Sequence, residues 1–167
     1  VMNPLNGNYA TFRNQELQLG LTEERRAEIW KTIIKAKIQN QIMVLELNGL
    51  ASRVIDMLYQ YMNEVKTGDS SNREGLAAKQ YFRELFGENF IRERELPDAI
   101  NLALNYGYSL MRAMMARSVA AKGFIPSWGL FHKNPYNHFN LVDDFLEVYR
   151  PIVDNWVFNN MQGEFFT

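Results

Sequence analysis

The stretch DAINLALNYGYSLMRAMMARSVAAK, Asp98 to Lys122, decides the fold class. Leu102, Ala103, Leu104, Leu110, Met111, Ala113, Met114, Met115 and Ala116 make it apolar on nearly every side. That pattern predicts one long helix buried on most of its faces. Asn101, Asn105, Tyr108 and Arg112 recur at steps of four, three and four, which puts them on one stripe. A polar stripe on a buried helix must meet partners, water or a ligand, because an unpaired buried polar group is costly. The stripe reads equally as structural hydrogen bonding or as the wall of a cleft.

Upstream, a helix is predicted from Thr22 to Leu47. Thr22 can cap it, Glu23 and Glu24 suit the positive end of the dipole, and Gly49 can stop it. Ile29, Ile33, Ala36 and Asn40 share a face. Arg25, Arg26, Lys31, Lys35 and Lys37 make the helix basic, either as a solvated face or as a surface toward phosphate. A second helix is predicted over Leu50–Val65, a turn over Lys66–Ser71, a third helix over Asn72–Leu85, and a charged loop over 88–97. Downstream, Gly123 stops the long helix. A loop from Phe124 to Phe139 holds both histidines, and Asn140 can cap a helix that Pro151 ends or kinks. Ile152–Asn160 reads helical. Only Ile125–Phe131 could be extended. The fold class is therefore all-α, with an extended lead-in over residues 1–21 and one helical domain over 22–167. The start at Val1 and the aromatic end at Phe165-Phe166-Thr167 are expected to be cuts in a longer protein.

Of the 167 residues, 47% are hydrophobic and 22% charged, as in a globular domain with a core. A net charge of −1 excludes a strongly basic nucleic-acid coat but not a DNA site focused in one cleft. No cysteine is present, so there is no disulfide framework and no zinc-thiolate site. No apolar run approaches the ~18 residues of a membrane span, and the start is not a signal peptide. An intracellular protein without membrane partners is expected. No nucleophile elbow, P-loop, dinucleotide fingerprint or His-Glu-x-x-His motif occurs.

Chemistry at a nucleic acid favours acids and imidazoles around a hard divalent ion. His132 lies in Gly129-Leu130-Phe131-His132-Lys133-Asn134-Pro135-Tyr136-Asn137, able to ligate metal, to bond phosphate, or simply to be bonded into its loop. His138 reads as surface. Asp143, Asp144 and Glu147 can share a helix face. The first two also suit a first turn, where Asn140 to Asp143 resembles a capping box; Glu147 lies beyond that turn. Ser71-Asn72-Arg73-Glu74 matches a capping box, which competes with any metal role for Glu74.

Four segments in order resemble the CRISPR adaptation integrase family, in its type II form. They are Ala36-Lys37-Ile38-Gln39-Asn40-Gln41, Asn72 to Phe82 (NREGLAAKQYF), Asp98 to Tyr108, and Gly129 to Asp154 (GLFHKNPYNHFNLVDDFLEVYRPIVD). The resemblance implies the helical catalytic domain of that family, lacking its N-terminal β-rich domain. It implies an endonuclease and integrase of CRISPR adaptation in a bacterial cytoplasm, inserting spacer DNA by attack of a 3′-hydroxyl on a phosphodiester. It carries the metal-ligand role onto Glu74, His132 and Glu147, with Asp144 as a supporting acid and Mg2+ or Mn2+ as the ion. Arg112, Asn105, Lys133 and Tyr136 would meet DNA. The implied partners are the duplex spacer precursor, the CRISPR repeat, the Cas-two protein and, in the full-length protein, a second copy. The competing readings are a helical DNA- or protein-interaction module without catalysis, and an unrelated metal hydrolase.

Overall fold

A computed structural model describes residues 9–161, and among them every regular element is helical. The order is α1 (Tyr9–Leu19), α2 (Glu23–Leu47), α3 (Ser52–Glu64), a 3-10 turn (Thr67–Asp69), α4 (Arg73–Phe86), α5 (Ala99–Ala121) and α6 (Asn140–Asn160). The all-α expectation holds. Residues 1–8 of the expected lead-in and the aromatic end lie outside the described residues. The lead-in itself needs correction, since residues 9–19 form α1 rather than extended chain. Long-range bonds hold this helix. Gln18, 4% exposed, donates to the carbonyls of Ile125 and Trp128 and accepts from the Ile125 amide. Hydrophobic periodicity carries no trace of such bonds.

Helix α2 is the axis of the molecule. It packs against α6 on one side and against α3, the 3-10 turn and α4 on the others, while α5 lies on α6. Ile34, Ile38, Ile42 and Leu45 of α2 are fully buried, as are Leu58 of α3, Tyr81 of α4, Leu104 of α5 and Val142 of α6. Each such aliphatic side chain contributes roughly 1.5–3 kcal/mol by leaving water. Local side-chain caps set the starts of α2 and α5. The Thr22 hydroxyl accepts from the Arg25 amide, and the Asp98 carboxylate accepts from the Asn101 amide. Gly87, at φ 105°, takes the C-cap of α4 in a conformation that L side chains rarely adopt.

Three further expectations are corrected. Helix α5 is buried on one face only; Leu102, Tyr106, Leu110 and Met114, four residues apart, form an exposed apolar stripe. Pro151 neither ends the last helix nor splits it, because α6 runs through to Asn160. The ring removes the amide that would have bonded the Glu147 carbonyl one turn back, and Asn40 of α2 bonds the adjacent Val148 carbonyl at 2.7 Å. The stretch Ile125–Phe131 forms turns, not a strand. Among the described residues no helix is long and apolar enough to cross a membrane.

Gly107 sets the approach of α5 to α6. A Cβ there would collide with Cγ1 of Val153. Gly107→Ala is expected to lower stability by about 1–2 kcal/mol, overpacking outweighing the gain in helix propensity. A urea melt checks this, and adding Val153→Ala should restore part of the loss.

Candidate functional site

The loop from Gly129 to His132 is folded around one carboxylate. Asp144, fully buried on α6, accepts from the amides of Leu130 (2.5 Å), Phe131 (3.2 Å) and His132 (3.1 Å), and its Oδ1 lies 2.7 Å from Nδ1 of the His132 ring. Gly129 permits the closure, because a Cβ there would stand 2.9 Å from both Asp144 Oδ2 and the Asn140 Cβ. Trp30 of α2 stacks flat on Phe131 at 4.3 Å and meets the His132 ring edge-on at 5.9 Å. The imidazole is therefore fixed through Nδ1, leaving Nε2 as the nitrogen open to a ligand. The bond from Asp144 raises the His132 pKa, against the effect of partial burial. Both Asp144 oxygens are engaged with the loop.

Glu74 sits in the first turn of α4, but the capping box does not form. Asp69, in the preceding turn, accepts from the amides of Arg73 (2.8 Å) and Glu74 (3.0 Å). The buried Ser71 hydroxyl has no hydrogen-bond partner, and Asn72 takes the left-handed conformation at φ 49°. Asp69 stands five positions before Glu74, outside the four-residue motif, which therefore pointed at the wrong acid. The Glu74 side chain turns instead to Lys37 of α2. One Lys37 ammonium lies 2.5 Å from Glu74 Oε1 and 2.5 Å from Glu147 Oε2. Arg150 holds the other Glu147 oxygen at 2.9 Å. Burial would raise the Glu147 carboxyl, yet the charges of Lys37 and Arg150 hold it below its ordinary value. Lys37 is likewise penalised by burial but raised overall by Glu147 and Glu74.

Glu74 and Glu147 thus reach one point from α4 and α6, and His132 lines the same cleft as Arg150, the second partner of Glu147. As the side chains stand, no group of three His, Asp or Glu side chains among the described residues is arranged around a common ion position. The ammonium occupies the point where the two carboxylates meet. Helix α6 starts at Asn140 with Asp143 in its first turn, as expected, but no side-chain capping bond forms between them. Asn140 is the first residue of α6 and donates to the carbonyls of Ser127 and Asn134, while Asp143 forms a two-pronged pair with Arg112 at 2.6 and 2.8 Å.

The polar stripe of α5 faces a cleft lined by Arg92, Arg94, Asn105, Tyr108, Arg112, His132, Asp143 and Arg150. Both readings of the stripe hold at once. Asn105 is bonded to Arg92 and to the Arg94 carbonyl, and the Tyr108 hydroxyl donates to Asp154. The same side chains form the wall. Two guanidinium groups approach the Tyr108 ring, Arg92 at 5.3 Å and Arg150 at 4.8 Å from its centroid. On the other side of His132 a second depression is lined by Arg26, Trp128, Lys133, Asn137 and His138. Lys133 pairs with Glu23 at 2.9 Å, and Tyr136 is 89% exposed at the loop tip. Of the candidates, Asn105, Arg112 and His132 meet in the first cleft, Lys133 lies in the second, and Tyr136 stands clear of both.

Lys37, Arg150, Arg92 and Asp69 were not anticipated. A signal for Lys37 was present, since it falls in phase with Ile33, Ile34 and Gln41 on the buried face of α2 rather than on a solvated one. Arg150, one turn after Glu147, carried the same kind of signal.

A protein-family model described as CRISPR associated protein Cas1 matches residues 1–165. The CRISPR-associated endonuclease Cas1 of Neisseria meningitidis serogroup C (strain 8013) is 41% identical over 152 residues, covering 87% of this chain and 48% of that protein. Among solved structures, a casposase bound to integration product superposes with TM-score 0.74 at 26% identity, over 92% of this chain and 51% of that one. A partial Cas6-RT-Cas1--Cas2 complex superposes with TM-score 0.81 at 21% identity, over 92% and 52%, which is likeness of fold. The chain spans about half the length of the relatives it matches.

Proposed function

The chain belongs to the CRISPR-associated Cas1 family, and on that premise we propose that it is the helical catalytic region of a divalent-metal-dependent DNA endonuclease and integrase. The observation that carries the reading is the convergence of Glu74 and Glu147 on one buried cation position, with His132 lining the cleft next to it together with Arg150. Two hard carboxylate oxygens and an imidazole nitrogen suit Mg2+ or Mn2+. Glu74, Glu147 and His132 Nε2 would hold the ion. Asp144 fixes the ring that presents Nε2. When bound, the ion supplies a Lewis acid for a phosphoryl oxygen and favours an oxygen nucleophile.

The chain's own side chains bind and orient the DNA. Arg92, Arg94, Arg112 and Arg150 line the cleft on one side of His132 and would neutralise the phosphodiester there. Asp143 and Asn137 hold Arg112 in place, so its planar group is already aimed. A 3′-hydroxyl attacks phosphorus and loses its proton, and the 3′-oxygen of the cut strand leaves and gains one. With water as the attacking group the same site hydrolyses the strand. The wider reading is spacer insertion into a CRISPR repeat in a bacterial cytoplasm, with a second copy and the Cas2 protein as partners. Its type II assignment rests on the segment Ala36–Gln41.

The test compares the wild-type chain with Glu147→Gln. Manganese should raise the unfolding midpoint of the wild type, by about 2.7 kcal/mol of stability at a hundredfold excess over Kd, and support cleavage of duplex or branched DNA. Glu147→Gln should lose the midpoint shift and at least a hundredfold of the cleavage. A wild type indifferent to manganese, or a variant that still responds, would sink the reading in favour of a non-catalytic helical module.

A further inference from the structure

Lys37 has no part in the chemistry described so far, yet its ammonium lies at the centre of the site. Its side chain is 9% exposed, and Nζ is 2.5 Å from one oxygen each of Glu74 and Glu147. The Glu147 carboxylate is also held in position by other groups. Glu147 keeps Arg150 on its second oxygen, and Arg150 rests on the Tyr108 ring, whose hydroxyl is bonded to Asp154. The backbone at Glu74 is tied down by Asp69, which takes the amides of Arg73 and Glu74. The placement of Glu147 and of the α4 backbone that carries Glu74 therefore has supports besides Lys37. What the ammonium supplies is positive charge at the point where two anions meet. A lysine suits a reversible occupant of that point, since its charge is carried on a flexible four-carbon stem, without the rigid fork of an arginine.

We propose that Lys37 is a built-in counter-cation that occupies the metal position and must withdraw when a divalent ion enters, so that metal loading is an exchange of one cation for another. The inference rests on the metal reading given above. Lys37 keeps two converging carboxylates, Glu147 buried and Glu74 partly exposed, from facing each other unneutralised while the ion is absent. It also sets a threshold, because an entering ion must displace an ammonium that is already bonded to both ligands. Removing the ammonium should therefore tighten metal binding, which is opposite to the effect of removing a ligand or a purely structural ion pair.

The test uses the full chain and Mn2+ alone as the probe, with free manganese counted by its electron paramagnetic resonance signal. Lys37→Gln should bind Mn2+ at least tenfold more tightly than wild type, and the double variant with Glu147→Gln should lose that gain. Lys37→Met serves if the glutamine variant folds poorly. On the wild type, Mg2+ should move the 15Nζ resonance of Lys37 to the position of a solvated lysine. Unchanged or weaker Mn2+ binding in the Lys37 variants, with a wild type that does bind, would overturn the exchange and leave the metal reading standing. A Lys37 resonance that saturating Mg2+ does not move would overturn it likewise. Absence of Mn2+ binding in all variants would overturn both.

Discussion

Asp144→Ala is expected to lower stability by roughly 3–5 kcal/mol, the range for removing one partner of a buried charged network, and to weaken divalent-metal binding by about 10–100-fold, as for other groups that orient a ligand. Asp144 is fully buried and accepts four hydrogen bonds: three backbone amides from Leu130, Phe131 and His132, and the His132 ring. Alanine leaves those amides without an acceptor beneath a loop that Trp30 presses from above. The ring loses the bond that fixes its tautomer, so Nε2 is no longer held toward the site. Asp144→Asn should be intermediate, since its amide keeps one acceptor oxygen but turns a donor toward donors. Urea melts read the first effect and manganese titration the second. A loss below about 1 kcal/mol, with an unshifted Nδ1 resonance, would show that the loop is held by other means.

Asp154 is expected to dominate the pH dependence of stability between about pH 4 and 7. Burial raises its carboxyl from 3.8 to about 7, although the Tyr108 and Tyr81 hydroxyls pull it the other way. Below pH 3.8 the group is protonated in both the folded and unfolded chain and adds nothing. Between the two values the unfolded chain has released the proton while the folded chain retains it, so stability falls as pH rises. Above about 7 both states are ionised and the loss is complete, on the order of 4 kcal/mol for a shift of that size. Glu147, held below its ordinary value, acts with the opposite sign and only as pH falls through the acid range. Asp154→Asn should therefore flatten the stability profile from pH 4 to 7 and be the more stable protein at pH 8. A wild-type profile already flat over that window would place the Asp154 pKa near its usual value.

Most of the helical frame was legible because its signals are local. Thr22 and Asp98 cap α2 and α5 as their side-chain chemistry suggests, and Gly87 and Gly123 take backbone angles open to glycine. The misread elements depend on contacts distant in sequence. Helix α1 is held by bonds from Gln18 to residues more than a hundred positions away. α6 continues past Pro151 while α2 and α5 pack along it.

The candidate site divides the same way. Glu74, His132, Glu147 and Asp144 were named from motifs, and the structure places Glu74 with Glu147 and His132 with Asp144. What each acid does could not be read locally. A Ser-x-x-Glu motif and an acid in a first turn have equally good local partners, and only packing decides between them. Here Asp69 took the α4 amides, which left Glu74 free to reach Lys37, and Arg112 took Asp143, which left Asp144 for the loop. Spacing along one helix is a property of the chain, so it settles the class of fold and the residue types at hand. Which charge meets which across three helices depends on how α2, α4 and α6 lie against one another, and that brought a lysine of α2 between two glutamates 73 residues apart.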